Sequence, residues 1–449
     1  MEQVEALKVP ETASRDADAS GSCVQRKTAS ALIWTEAMLA ALKSGVRGGK
    51  WHSLIDKVYC PKTLELGWVQ VESNAGAAGV DRMSVKQFAR KREVYLAELA
   101  QALRDGSYRP QAVRRVYIPK AGSKTQFRPL GIPAVKDRVV QAALKLVIEP
   151  IFEHEFEARS FGFRPGRGCK DALREVDRYL REGYCWVVDA DLKSYFDTIP
   201  HSPLLAKVGR RISDGRVLDL IARFLKQDVM EDMTSWTPTA GSPQGAICSP
   251  LLANIYLHDL DVEMREAGFV MVRYADDSVV LCRSCEEADA ALARMRTWVS
   301  ANGLTLHPDK THIGDCRTEG QGFEFLGYRF EAGQRWVRKK SLTALKDKIR
   351  ALTKRNCGHR ITRVIASLNP ILKGWFGYFQ HAHRYTFLSL DGFIRRRLRA
   401  VLRRQQHRPG RGRCLSDHKQ WPNAYFANLG LFTMSAAHHM ARQSRCGHN

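Results

Sequence analysis

Several features of membrane and secreted proteins are missing from this sequence. No apolar run is long enough to cross a bilayer, so we expect no membrane partner. The first residues are acidic and lack the apolar core of a secretory signal, which favours a cytoplasmic protein with reduced thiols. The eleven cysteines are scattered, and paired zinc spacing is absent. Zinc therefore stays open only as a less favoured interpretation of the C-terminal Cys and His residues: Cys414, His418, His438, His439, Cys446 and His448.

Acidic residues are scarce in the last quarter of the chain. Residues 335–449 contain 25 lysines and arginines against three aspartates, a net charge of +22 out of +24 for all 449 residues. Residues 1–334 are therefore almost neutral. A positive field of this size indicates a polyanionic partner, with nucleic acid favoured over an anionic membrane. Because aromatic residues are interleaved with the basic ones, we expect this region to fold.

The chain divides into four predicted regions. Residues 1–30 are small and polar, which predicts a disordered leader. Residues 31–334 mix apolar runs with helical patterns and predict an α+β catalytic domain. Residues 335–410 are predicted to be a helical domain, and 411–449 a short basic extension for which DNA binding is left open.

Apolar periodicity predicts the main elements. The expected helices cover about 31–58, 84–104, 135–156, 169–181, 249–266 and 285–301. A single strand is expected over 323–330, and mostly helix from about 340 onwards.

Two adjacent carboxylates, Asp276 and Asp277, lie between the apolar runs 269–272 and 279–281. This pattern is typical of a strand, a turn and a second strand. Two carboxylates on a short turn repel each other unless a cation neutralises them, and hard oxygen ligands suit Mg²⁺. An Asp-Asp pair is also ordinary turn chemistry, so the pair alone does not define a metal site.

A two-metal site for phosphoryl transfer needs a further carboxylate from another strand. Asp191 meets this need, because it follows the apolar run 186–188, which reads as a buried strand. The convergence of Asp191 with Asp276 and Asp277 is a prediction about tertiary structure.

Motifs in a fixed order resemble those of reverse transcriptases. They are Asp191…Phe196, Ser242-Pro243-Gln244-Gly245, Tyr274-Ala275-Asp276-Asp277, Gly303…Lys310 and Phe325-Leu326-Gly327-Tyr328. Two further blocks, 127–133 and 160–165, are similar to the group II intron-encoded type, and the resemblance covers about residues 70 to 400. It implies a right-hand polymerase, whose fingers and palm combine an antiparallel sheet with helices, followed by an α-helical thumb or maturase domain.

The resemblance also implies roles for single residues. Asp191, Asp276 and Asp277 match the catalytic ligands of two Mg²⁺ ions. The residues that match nucleotide-binding positions are Lys120, Arg128, Phe196, Gln244 and Lys310. Phe196 matches a steric gate that excludes a ribose 2′-hydroxyl by repulsion and so favours deoxynucleotides. Core packing is the ordinary alternative for Phe196, although Tyr195 fits that role better.

Basic side chains are expected to contact RNA or DNA. Helical spacing over 392–406 predicts an amphipathic helix with arginines on its polar side, although a solvated face is the ordinary alternative. Guanidinium groups bind phosphates and stack on bases. The expected nucleic-acid contacts are Arg164, Arg167, Lys373, Arg395, Arg396, Arg399, Arg403 and Arg404.

The function that the resemblance implies is RNA-directed DNA synthesis on group II intron RNA, with assistance to splicing and mobility. The expected partners are structured intron RNA, an RNA template with a DNA primer, dNTPs and a DNA target, and a homodimer is left open. No Cys/His-rich endonuclease array is expected, so the primer would come from elsewhere. The alternatives are a related reverse transcriptase in defence, repair or diversity generation, or an RNA-folding maturase without polymerase activity. Phe196 disfavours an RNA-dependent RNA polymerase.

Overall fold

The computed structural model describes residues 33–45, 49–119, 127–356 and 358–446. The chain divides into two compact units, and the junction lies between Ile313 and Gly314. The first unit mixes helices and strands, and the second is mainly helical, so the predicted fold class is confirmed. The predicted leader lies outside the described residues. Within the described part of the chain, no helix is both long and apolar enough to pass through a membrane.

The first unit contains the helices and strands that position the site. Its helices are α1 (Glu36–Ser44), α2 (Ile55–Val58), α3 (Pro61–Asn74), α4 (Val85–Arg90), α5 (Arg92–Asp105), α6 (Val135–Glu153), α7 (Cys169–Arg181), α8 (Tyr195–Thr198), α9 (His201–Gly209), α10 (Gly215–Leu225), α11 (Ser249–Glu266) and α12 (Cys285–Ala301). Its strands are β1 (Val113–Pro119), β2 (Phe127–Ile132), β3 (Trp186–Asp191), β4 (Val229–Glu231), β5 (Thr234–Trp236), β6 (Val270–Tyr274) and β7 (Asp277–Cys282), and β8 (His312–Asp315) crosses the junction.

The helical pattern predicted around 31–58 is not a single continuous helix in the structure. The backbone of Gly45 has φ +87° and that of Ser53 has φ +52°, and both values are incompatible with a right-handed helix. Two short helices, α1 and α2, therefore replace it. Helix α3 was not predicted, although Pro61 at its first turn is a common helix start. The predicted helices over 169–181, 249–266 and 285–301 are confirmed with the same bounds.

The sheet that carries the predicted acids has the strand order β6-β7-β3-β8. Strands β6 and β7 form an antiparallel hairpin, and β3 pairs antiparallel with β7. Val187, Val188 and Val280 on these strands are fully buried, and α12 packs against both β3 and β7. Each such side chain contributes about 1.5–3 kcal/mol by leaving water. This burial fixes the register, since a slip of one residue would turn the apolar side chains outwards.

A second sheet has the order β2-β1-β4-β5. Strands β1 and β2 pair antiparallel, and Arg115 lies opposite Gly131. The loop before α11 joins this sheet, because the Gly131 N–H donates to the Gln244 carbonyl at 2.6 Å. Gly131 has no Cβ, which leaves room for Val113 beside it.

The second unit starts with a three-stranded sheet and continues as helices. The predicted single strand over 323–330 is instead β9 (Phe323–Phe325) and β10 (Tyr328–Glu331), because Leu326 and Gly327 have positive φ and form a tight turn. Strand β11 (Gln334–Val337) completes the sheet. The helices are α13 (Lys339–Leu352), α14 (Ile361–Phe379), α15 (Arg384–Gln405), α16 (Leu415–Gln420), α17 (Asn423–Asn428) and α18 (Met434–Cys446). Helix α18 packs on α14 and α15, so this part of the predicted extension belongs to the helical core of the unit.

Candidate active site

The three predicted acids lie at one end of the β6-β7-β3-β8 sheet. Asp191 is the last residue of β3, Asp277 is the first of β7, and the two are direct partners in the antiparallel register. Asp276 precedes Asp277 in the turn of the β6–β7 hairpin. The sheet therefore places next to each other carboxylates that are far apart in the sequence.

The surroundings of Asp276 disfavour the ionised form of its carboxyl group. Burial raises the pKa of the Asp276 carboxyl, the negative charge of Asp191 raises it further, and Arg273 and Lys310 act in the opposite direction. Neighbouring carboxylates carry like charges and repel each other. A hard divalent cation, which prefers oxygen ligands, relieves this repulsion. This donor set fits Mg²⁺, although no three His, Cys, Asp or Glu side chains of the described residues form a preassembled metal cluster.

Asp191 is instead paired with Lys310, whose Nζ lies 2.5 Å from its Oδ2. The backbone brings this lysine to the acid, because the His307 N–H donates to the Asp191 carbonyl at 2.7 Å and the Lys193 N–H donates to the Thr305 carbonyl at 2.8 Å. The residues after β3 and the segment 303–311 therefore lie side by side. Lys310, a predicted nucleotide-binding residue, therefore lies at the acidic end of the sheet.

The turn between Tyr274 and Asp277 is held in an unusual conformation. Ala275 has φ +61°, in the left-handed region that residues with a Cβ avoid. The backbone of Gly162 lies directly against it, and a Cβ on Gly162 would clash with the Ala275 nitrogen. The glycine in the predicted 160–165 block is therefore required by this close approach.

A buried ion pair lies beneath the turn, and sequence reasoning missed it. Arg273 is 1% exposed and pairs with Asp261, with Nε 2.7 Å from Oδ1. Its Nη1 also donates to Asn254 Oδ1 at 3.0 Å and to the Ala275 carbonyl at 2.8 Å. The signal in the sequence was a single arginine at the end of an otherwise apolar strand, since a buried charge must have a partner.

Phe196 and Gln244 line one cavity of about 260 Å³, together with Arg115, Asp197 and Trp236. Phe196 is half-buried in α8, whereas its neighbour Tyr195 is 2% exposed and donates its hydroxyl to the Ala253 carbonyl at 2.6 Å. Tyr195 thus takes the packing role and leaves the Phe196 ring at the cavity wall. The Gln244 side-chain amide donates to Asp197 at 3.3 Å.

The structure describes only one of the two predicted nucleotide-binding residues Arg128 and Lys120. Arg128 is exposed on β2, in the same strand as Gly131, which bonds to the Gln244 loop. Lys120 lies outside the described residues.

Arg164 is not available to nucleic acid. It is 5% exposed, its Nη2 lies 2.8 Å from Glu153 Oε1, and its Nη1 donates to the Glu157 and Ser160 carbonyls. Its charge stabilises the turn after α6, so we remove it from the set of RNA contacts. Arg167 remains partly exposed and donates to the Ala158 carbonyl at 2.6 Å.

Two arginines of α15 are also occupied within the second unit. Arg399 is 2% exposed and donates from Nε to the Trp421 carbonyl at 2.9 Å. Arg403 pairs with buried Asp417, with Nη1 2.7 Å from Oδ1. Both arginines hold the 409–423 segment against α15. Fewer arginines of this helix are therefore available to bind RNA than the sequence predicts.

The remaining predicted contacts of the second unit keep accessible charge. Lys373 and Arg404 are exposed, and Arg395 and Arg396 are half-buried. Burial lowers the pKa of Arg396, and the nearby charges of Arg413, Arg350 and Arg411 lower it further. Clustered guanidinium groups of this kind are suited to a phosphate.

The C-terminal Cys and His residues show no zinc arrangement in the described residues. Cys414 Sγ lies 3.3 Å from the Arg403 guanidinium, a cation that disfavours a second positive charge. His448 and the side chain of Cys446 lie outside the described residues.

Comparison with known proteins places this chain in a family. Residues 118–330 match the family described as reverse transcriptase (RNA-dependent DNA polymerase), and residues 342–421 match the group II intron, maturase-specific domain. The group II intron-encoded protein LtrA of Lactococcus lactis subsp. cremoris is 40% identical over 203 residues, which cover 45% of this chain and 33% of LtrA. Protein YkfC of Escherichia coli K12 is 34% identical over 299 residues, which cover 57% of this chain and 76% of YkfC.

Among solved structures, a partial Cas6-RT-Cas1–Cas2 complex matches with a TM-score of 0.36 at 22% identity, and the alignment covers 56% of this chain and 43% of that chain. That likeness is too slight to bear on the site.

The fold and the two matched domains define a reverse transcriptase domain followed by a maturase-specific domain. The chain belongs to the group II intron-encoded reverse transcriptase and maturase family. The family predicted from the motifs is therefore confirmed. The match to LtrA spans about a third of that protein.

Proposed function

We propose that this protein is an RNA-directed DNA polymerase that copies group II intron RNA into DNA and assists the splicing and mobility of that intron. The observation that carries the proposal is that Asp191 lies opposite Asp277 in neighbouring strands, with Asp276 next to Asp277 in the chain. Lys310 forms an ion pair with Asp191. Three carboxylates at one end of a buried sheet are suited to holding the two cations of a nucleotidyl-transfer site, and the lysine adds a positive charge beside them.

Asp191, Asp276 and Asp277 would hold two Mg²⁺ ions. When bound, such ions activate the primer 3′-hydroxyl and neutralise charge on the departing pyrophosphate. Lys310 would then give its charge to the leaving phosphates rather than to Asp191. Arg128, with Lys120, would hold the triphosphate.

The position of Phe196 at the cavity supports discrimination between deoxyribose and ribose. Its ring stands at the wall of the cavity that Gln244 and Asp197 also line. A ribose 2′-hydroxyl pressed against this ring would clash, whereas a deoxyribose would fit. The proposed substrates are therefore dNTPs, paired with an RNA template and extended from a DNA primer.

The second unit supports recognition of a structured RNA. Its exposed basic side chains, Lys373 and Arg404, lie in a region with few acidic residues to neutralise them. RNA of complex shape is recognised largely through its phosphates and its surface. We propose that this unit binds intron RNA and that the first unit copies it. The DNA target and a dimeric state are part of the same proposal.

The test is extension of a DNA primer on an RNA template with dNTPs and Mg²⁺. Asp276→Ala should abolish extension and leave RNA binding intact. The matched control is Asp289→Ala, which removes an exposed aspartate from α12 and should leave the rate unchanged. Absence of extension by the wild-type protein would refute the polymerase and leave an RNA-folding maturase.

A second measurement tests the intron part of the proposal. The protein should bind the RNA of a group II intron at least tenfold more tightly than an unrelated structured RNA of equal length. Equal affinities, together with active primer extension, would favour a related role in defence, repair or diversity generation.

A further inference from the structure

We propose that Arg273 and Asn254 are positioning residues for the catalytic turn and that they set the affinity of the site for its divalent cation. This inference rests on the proposed function, because it concerns the same carboxylates. Neither residue belongs to the predicted site.

The contacts of Arg273 use its guanidinium almost completely. Nε and Nη2 both bond to the Asp261 carboxylate, and Nη1 divides its two hydrogens between Asn254 Oδ1 and the Ala275 carbonyl. One side chain therefore ties a helix to the residue just before Asp276. A lysine could not reproduce this planar fork of donors.

Asn254 extends the network to the other side of the turn. Its Nδ2 donates to the Gly162 carbonyl at 2.8 Å, and Gly162 packs on the backbone of Tyr274 and Ala275. Asn254 and Asp261 are seven residues apart on α11 and so project from the same face. Helix α11 therefore contacts the turn at two points. Arg273, which is paired with Asp261, binds the Ala275 carbonyl, and Asn254 binds Gly162, which packs on the turn.

The turn needs this support because its conformation is costly. Ala275 adopts a left-handed backbone, and the following carboxylate lies beside Asp191 of like charge. Both features favour rearrangement of the turn. A fixed carbonyl before Asp276 opposes that movement and keeps the carboxylates side by side, as a shared cation requires.

The alternative is that the network only attaches α11 to β6. A buried, paired charge does not by itself show a gain in stability, because apolar residues of similar size can replace it. A structural role alone would change how much protein folds. A positioning role would also change the cation dependence of each folded molecule.

The test uses Asn254→Ala, which keeps the Arg273–Asp261 pair, and Arg273→Lys, which keeps the charge. The matched control is Arg265→Ala, which removes an exposed arginine from the same helix. Three quantities are measured: the folded fraction by thermal unfolding, the Mg²⁺ concentration for half-maximal primer extension, and binding of Mn²⁺ alone by loss of the EPR signal of the free ion.

Both variants should raise the half-saturating Mg²⁺ concentration at least fivefold and weaken Mn²⁺ binding by a similar factor. Arg265→Ala should change neither. Unchanged cation dependence in the folded fraction would overturn the inference. If Arg273→Lys does not fold, Asn254→Ala decides. If the wild-type protein extends no primer, the proposed function fails, and the Mn²⁺ measurement still decides whether the network sets cation affinity.

Discussion

Lys310 and Asp191 form an ion pair between residues 119 positions apart in the chain. The lysine side chain is 58% exposed, so the pair contributes little to stability. Its importance lies in what it competes with, since the same carboxylate is proposed to bind a divalent cation. The ammonium group and the cation would therefore compete for the negative charge of Asp191.

Replacement of this lysine should therefore separate cation binding from rate. Lys310→Met should lower the half-saturating Mg²⁺ concentration about two- to fivefold, because Asp191 loses a competing charge. The maximal rate of primer extension should fall at least tenfold, because the leaving phosphates lose a donor. Lys193→Met, at an exposed lysine close to Asp191 in sequence, is the control. A rise in the Mg²⁺ requirement would contradict the competition.

A methyl group on Gly162 should disturb the catalytic turn. Gly162→Ala places a Cβ against the Ala275 backbone, so the turn or the 160–165 segment must shift. Displacement of about 1 Å is expected to cost about 10²-fold in the rate of extension. Gly209→Ala is the matched control, because a Cβ there meets no atom within 4 Å. Equal activity of both variants would show that the turn tolerates movement.

The ring of Phe196 should decide which sugar is accepted. In Phe196→Val the kcat/KM ratio of dNTP over rNTP should fall about 10- to 100-fold, because the steric clash is removed. Tyr195→Phe removes the hydroxyl that bonds to the Ala253 carbonyl and should leave the ratio unchanged. The ratio is measured by single-nucleotide extension with each substrate. An unchanged ratio in Phe196→Val would assign the ring to packing alone.

The acids were predictable from the sequence because each follows or precedes a short apolar run. Asp191 ends β3 and Asp277 starts β7, and strand ends are visible as a change from apolar to polar residues. Their register was not predictable, since it depends on which strands become neighbours. The partners of Arg273 were hidden for the same reason, because Asn254 and Asp261 meet it only after α11 packs on β6.

The arginines of α15 show a different limit. Periodicity identified a polar side of the helix, but it could not show that the 409–423 segment covers part of that side. Arg399 and Arg404 look alike in sequence, and only tertiary structure separates a buried charge from an exposed one. Backbone conformation set a third limit, at the positive φ of Leu326 that divides the 323–330 run into two strands.

Asp137 should make the stability of the first unit depend on pH. Burial raises its pKa to about 6, although hydrogen bonds from Tyr108 and the Gln111 N–H act in the opposite direction. Because the folded pKa exceeds the unfolded value near 4, the contribution of Asp137 is present below pH 4 and is lost as the pH rises through 6. In urea unfolding, the stability of the wild type relative to Asp137→Asn should fall by about 2–3 kcal/mol from pH 4 to pH 8. A constant difference would contradict the raised pKa.

Exposed and buried arginines of α15 should respond differently to truncation. Arg404→Ala should weaken RNA binding and reduce the slope of log affinity against log salt by about one, because one phosphate contact is lost. Arg399→Ala should lower the unfolding temperature, because the Trp421 carbonyl and Asn423 lose their donor. At a temperature where both variants are folded, Arg399→Ala should bind RNA like the wild type. An equal loss of RNA affinity in both variants would show that Arg399 also contacts RNA.

Asp191 is synthesised well before Lys310, the residue with which it pairs, because 119 positions separate them in the chain. At typical rates of synthesis, about 6 to 24 s separate the two residues as they leave the peptidyl-transferase centre. Throughout that interval Asp191 is present in the nascent chain without the lysine that pairs with it. The acidic end of the sheet therefore acquires its own counter-charge last, and a truncated product that stops before residue 310 would present the carboxylates without it.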